Sequence, residues 1–107
     1  MNEYNPDKWL ILEVFPDDGS SPYLKVFGTW AGGYLSGDSW RVNSSVTEIT
    51  QDEDYYYFHG ASGSVYKCHK SGYGVAGASN NYLIKDFTSQ EGVRVLEWDE
   101  VVNEANK

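Results

Sequence analysis

A thiol, two imidazoles and sixteen carboxylates are the groups from which a reactive centre could be built in this chain. Cys68 stands next to His69, and His59 lies ten residues before His69. A thiolate beside an imidazole would make a nucleophile, and two imidazoles with a carboxylate would hold zinc. Strand geometry argues against both. Neighbours on a strand point to opposite faces, so Cys68 and His69 cannot serve one atom. In a hairpin turning at Gly60-Ala61-Ser62-Gly63, His59 and His69 share a face but stand on the order of 13 Å apart. Zinc ligands must each lie about 2 Å from the ion. Cys68 falls opposite Tyr56 on the face expected to be buried, where a thiol is inert packing. Carboxylates for glycoside hydrolysis need only a separation of about 5–9 Å, which some pair among so many acids always meets. The expectation is a protein that is not an enzyme, with no metal and no cofactor.

Residues 72–77, GYGVAG, match G-x-G-x-x-G, and Glu97 follows twenty residues after the last glycine. A dinucleotide fingerprint requires the third glycine to open a helix inside a βαβ unit. Here Ala78-Ser79-Asn80-Asn81 leads into YLIKDF, which reads as a strand, and 107 residues are too few for two mononucleotide-binding halves. A Gly-rich loop over residues 71–81 can still offer backbone N–H groups to an anion. Lys70 and Lys85 flank it, Tyr73 is placed to stack on a base, and Gly74 and Gly77 admit close approach. These five residues form the expected site if the chain sequesters a nucleotide or another small ligand.

The elements that must position such groups read mainly as strands. Trp9 to Phe15 (WLILEVF) is apolar on both faces apart from Glu13, the pattern of a central strand covered on both sides. The turn PDDGSSP leads into Tyr23 to Trp30, giving a first hairpin. Ser39 to Val42, Val46 to Thr50, Tyr55 to His59 and Ser64 to His69 follow, then Tyr82 to Phe87 and Val93 to Trp98. Residues 99–107 are expected to form a helical turn or to fray. Turns are expected at Gly32-Gly33 and Ser36-Gly37-Asp38. About seven short strands in one domain spanning residues 1–107 predict an all-β fold, a small antiparallel barrel or sandwich. Beside the Gly-rich turns, Trp30 and Trp40 would either stack on a sugar or peptide or plug the ends, with Gly28, Gly32 and Gly33 making room for the rings. Plugging is the reading for Trp40, which alternates with Val42.

Residues 52–60, DEDYYYFHG, combine both themes. Pairing Gly60 with Ser64 sets Phe58 against Tyr66 and Tyr56 against Cys68, on the core face. Tyr57, His59, Lys67 and His69 then share the other face. Asp52, Glu53 and Asp54 with Tyr55 and Tyr57 would form an acidic, rigid rim, and tyrosines give contact area at low entropic cost.

Sixteen acidic residues against eight basic ones give a formal charge of −8 and a pI near 4.5. Phosphate backbones are bound largely through Lys and Arg, so direct nucleic-acid binding is not expected. A basic protein surface is the fitting partner. The expected function is an acidic protein-binding module, an inhibitor or adaptor. It would engage a nucleic-acid-binding protein by mimicking phosphate charge, as phage anti-defence proteins do as a class. Asp38, Asp52, Glu53, Asp54, Tyr55 and Tyr57 are its expected contacts. One cysteine forbids an intrachain disulfide, and the first residues resemble neither a leader nor a membrane span, which points to the cytoplasm. An uncovered edge strand would permit a homo-oligomer.

Overall fold

A computed structural model describes residues 2–32 and 38–107. Gly33, Tyr34 and most of the expected Ser36-Gly37-Asp38 turn lie outside the described residues. The described elements are, in order, β1 (Glu3–Tyr4), β2 (Lys8–Val14), β3 (Tyr23–Trp30), β4 (Ser39–Val42), β5 (Val46–Gln51), β6 (Tyr55–Gly60), β7 (Val65–His69), α1 (Ala78–Ser89), β8 (Val93–Val95) and α2 (Trp98–Ala105). They build two four-stranded sheets, ordered β1-β7-β6-β5 and β4-β3-β2-β8. All pairings are antiparallel except β1 with β7. The fold is mostly strand, a small sandwich and not a closed barrel.

β2 earns its two-sided apolar sequence. It lies between β3 and β8, and alternate residues enter two different cores. Trp9 and Ile11 join Val26, Tyr56, Phe58, Tyr66 and Cys68 between the sheets. Leu10 and Leu12 join Phe27 and Ile84 beneath α1. Trp9 is fully buried, edge-on to Tyr56, Tyr73 and Trp98 with ring centroids 6.2, 4.9 and 6.1 Å away. Its indole N–H donates to the His69 carbonyl at 2.8 Å, so the buried polar tip is satisfied. Gly28 leaves space that Pro6 and the Trp30 ring occupy.

Three expectations fail. Tyr82 to Phe87 is not a strand but the middle of α1. The misleading residue is Asn80, whose side chain is 2% exposed and donates to the carbonyls of Ser39 (2.8 Å) and Ala76 (2.9 Å). With Asn80 counted as part of the buried face, Asn80, Ile84 and Phe87 follow helical spacing. Without it, six residues cannot distinguish a period of two from one of 3.6. Second, the strand beginning at Val93 stops at Val95, and Trp98 opens α2 instead of closing a strand. Glu97 and Glu100 form a reciprocal capping box there, and Val101 is buried in the core. Third, Trp40 plugs nothing. It remains 47% exposed on the α1 side of the second sheet, against Phe27 and Phe87.

Candidate functional site

The inter-sheet core takes one face of the first sheet; the other carries the acidic and aromatic run. The pairs Tyr56–Cys68 and Phe58–Tyr66 form as the hairpin register predicts, with the Gly60 N–H donating to the Ser64 carbonyl at 2.8 Å. Side-chain alternation therefore sends Tyr55, Tyr57 and His59 outward, each half-buried, with Lys67 and His69 from β7 beside them. β5 adds Thr50 opposite Tyr57 and Glu48 opposite His59.

Asp52 organises this surface. Its carboxylate accepts from the N–H groups of Asp54 (3.0 Å) and Tyr55 (2.8 Å) and from the Tyr57 hydroxyl (2.7 Å). The first two bonds are an Asx turn, the local geometry that Asp favours before a strand. The Tyr57 hydrogen bond, followed by the Tyr55 N–H, holds the Asp52 carboxyl below its usual 3.8. The same bond, with desolvation next, pushes the Tyr57 phenol up to about 12. Glu53 and Asp54 project freely into solvent. Tyr55 is clamped between the Tyr57 ring (6.3 Å), the His69 ring (5.0 Å, edge-on) and the Lys67 ammonium, 4.4 Å above its face. Asp52, Glu53, Asp54, Tyr55 and Tyr57 thus form one patch. Glu48, Thr50, Lys67 and His69 extend it, and the strand pairing that brings in β5 could not be read from local sequence.

Asp38 lies elsewhere. Its carboxylate accepts from the Ser79 N–H at 3.4 Å, at the first turn of α1 on the other sheet. There it occupies the anion-favouring end of the helix. Gly77 has φ +88°, and a Cβ at that position would run into the Asp38 carboxylate. A helix does follow Gly77, as the dinucleotide fingerprint requires, but it packs on the β4-β3-β2-β8 sheet, whose pairings are antiparallel, and not in a βαβ unit.

The rest of the expected ligand loop is engaged internally. The N–H groups of Gly72, Gly74 and Ala76 donate to His69 O, Trp9 O and Thr29 Oγ1 at 2.9, 2.8 and 2.9 Å. Tyr73 turns inward: its hydroxyl donates to Leu96 O (2.6 Å), accepts from Ile11 N (3.2 Å), and burial raises its pKa to about 12. Lys70 donates to Gln51 Oε1 at 2.9 Å, whereas Lys85 lies on α1 with its ammonium 5.9 Å from the Tyr82 ring. The fold gives these two cations separate partners, one on the first sheet and the other on α1.

Cys68 is fully buried, and desolvation raises its thiol pKa well above the usual value. Among the described residues no three His, Cys, Asp or Glu side chains converge as metal ligands. No helix among them is long and apolar enough to cross a membrane.

The fold and this surface define a small two-sheet sandwich with an uncovered acidic, tyrosine-rich face. The chain matches no protein-family model, and no curated protein or solved structure is significantly similar to it.

Proposed function

We propose that the chain is a non-enzymatic, acidic protein-binding module, an inhibitor or adaptor that meets a basic surface with the outer face of its first sheet. One observation carries this reading. Asp52 is locked by three donors from its own chain and holds Tyr57 in place, so carboxylate and phenol are presented in a fixed geometry. A rigid aromatic rim with preorganised charge binds at low ordering cost. Among the described residues none of its carboxylates is in an ion pair, the pairs being Arg94–Glu13, Arg94–Glu100 and Lys107–Glu104, and Lys67 acts on Asp52 only as a minor Coulombic influence. Lys67 sits on the Tyr55 ring. A partner built to bind nucleic acid is favoured, since its phosphate-binding cations would accept these carboxylates instead. That last step is by analogy with charge-mimicking inhibitors as a class.

The experiment is a binding titration of the partner recovered with the intact chain. Affinity should fall as ionic strength rises, and Asp52→Asn with Glu53→Gln and Asp54→Asn should slow association. Tyr57→Ala should cost about 2 kcal/mol or more if it is an anchor. An affinity indifferent to salt and to the three neutralised carboxylates would sink the reading.

A further inference from the structure

The second sheet carries its own unfilled feature. α1 lies over Leu10, Leu12 and Phe27 but leaves the neighbouring part of the same face open, where Tyr23 and Trp40 stay 37% and 47% exposed. The result is a groove of about 400 Å³. Leu12, Val14 and Val42 form its floor, and Trp40 and Phe87 form a wall, their rings edge to face at 5.7 Å. Lys25 enters from β3, paired with Leu12 across the strands. Its ammonium is 5.9 Å from the Tyr23 ring and, among the described residues, makes no ion pair. Among the described residues no carboxylate lines the groove. Concave sites of this size, apolar with few convergent polar groups, are the usual form of small-molecule pockets.

We propose that this groove binds a small amphiphilic anion, its apolar body lying against Leu12 and Val42 beside Trp40 and Phe87, its single carboxylate meeting Lys25. The site is independent of the acidic face on the first sheet. The chain's net charge of −8 works against any anion, so a preference for an anionic over a neutral probe must come from the groove itself. Lys25 is its one cation among the described residues.

Decanoate, decanol and decylammonium, each below its aggregation threshold, test this by calorimetric titration into the whole chain. Decanoate should saturate a single site about fivefold more tightly than decanol, the scale of a partly exposed charge pair, and decylammonium should bind most weakly. Lys25→Gln, at a half-buried position, should make decanoate and decanol equal. Trp40→Ala should weaken both, with unchanged melting as the check on folding. The proposal fails if decanoate does not saturate, or if Lys25→Gln keeps its preference. It fails also if sedimentation shows a dimer that Trp40→Ala dissolves, because a second copy would then be the occupant.

Discussion

Asp52 and Tyr57 form the most informative pair at the level of single residues. Each shifts the other in the direction that keeps carboxylate charged and phenol neutral. A lowered carboxyl pKa contributes stability that is present above the unfolded value near 3.8 and lost as pH falls through the folded one. A raised phenol pKa contributes stability that is full below 10.0 and lost as pH rises toward about 12. Tyr57→Phe should therefore raise the Asp52 pKa, measured by NMR titration, and narrow the stable range at its acid end. An unmoved Asp52 pKa would show that the bond does not persist in solution. Cys68 yields a second expectation. Buried opposite Tyr56, its thiol should react with an alkylating reagent only as fast as the fold opens, and at full speed in denaturant. Rapid native labelling would reopen thiol chemistry.

The two helices are held at the element scale by different physics. α1 has no side-chain cap of its own and leans on Asp38 and on the buried Asn80 amide. Asn80→Ala leaves the Ser39 carbonyl without its donor and should cost about 1–3 kcal/mol in denaturant unfolding. A change within a few tenths of a kilocalorie would mean that water replaces the amide. α2 is docked through the buried Val101 and its capping box, and exposed charge adds to this. The Arg94 guanidinium donates to Glu13 at 2.8 Å and to both oxygens of Glu100 at 3.0 and 2.6 Å. That fork, with the Glu97 N–H bond next, lowers the Glu100 pKa from 4.5 to about 2. The stabilisation is present above 4.5 and is lost as pH falls through the folded value. The protection of the α2 amides against hydrogen exchange, taken relative to their intrinsic rates, should accordingly fall between about pH 4.5 and 2, and Arg94→Gln should move the onset to higher pH. Exchange that ignores the substitution would assign the docking of α2 to Val101 alone.

For the molecule as a whole, charge distribution matters more than charge count. Lys25, Arg41, Lys67, Lys70 and Lys85 each lie within 6 Å of a tyrosine ring centroid, while Arg94 and Lys107 make the ion pairs. Most carboxylates are thus left to repel one another, and the few bridges are exposed ones of small worth. Adding a weakly interacting salt should raise the melting temperature at neutral pH by screening that repulsion. A fall on adding salt would mean that the Arg94 network outweighs it. The same salt should weaken binding of a basic partner, so stability and affinity are expected to move in opposite directions.

Local sequence was sufficient for β2, β3, β4, β6 and β7, and for the register that buries Tyr56, Phe58, Tyr66 and Cys68 while turning Tyr55 and Tyr57 outward. Period-two alternation around a glycine turn is a short-range signal that needs no distant partner. The acidic rim was legible for the same reason, since the Asp52 side chain closes its turn within five residues. Helix α1, the parallel strand β1 and the post of Asp38 at the α1 N-terminus were decided by the tertiary structure. Each depends on contacts far apart in the chain, as Asn80 to Ser39 at 41 residues shows. Six residues with two admissible periods take the one that a distant surface can bury, and the groove between α1 and Lys25 exists only because that choice was helical.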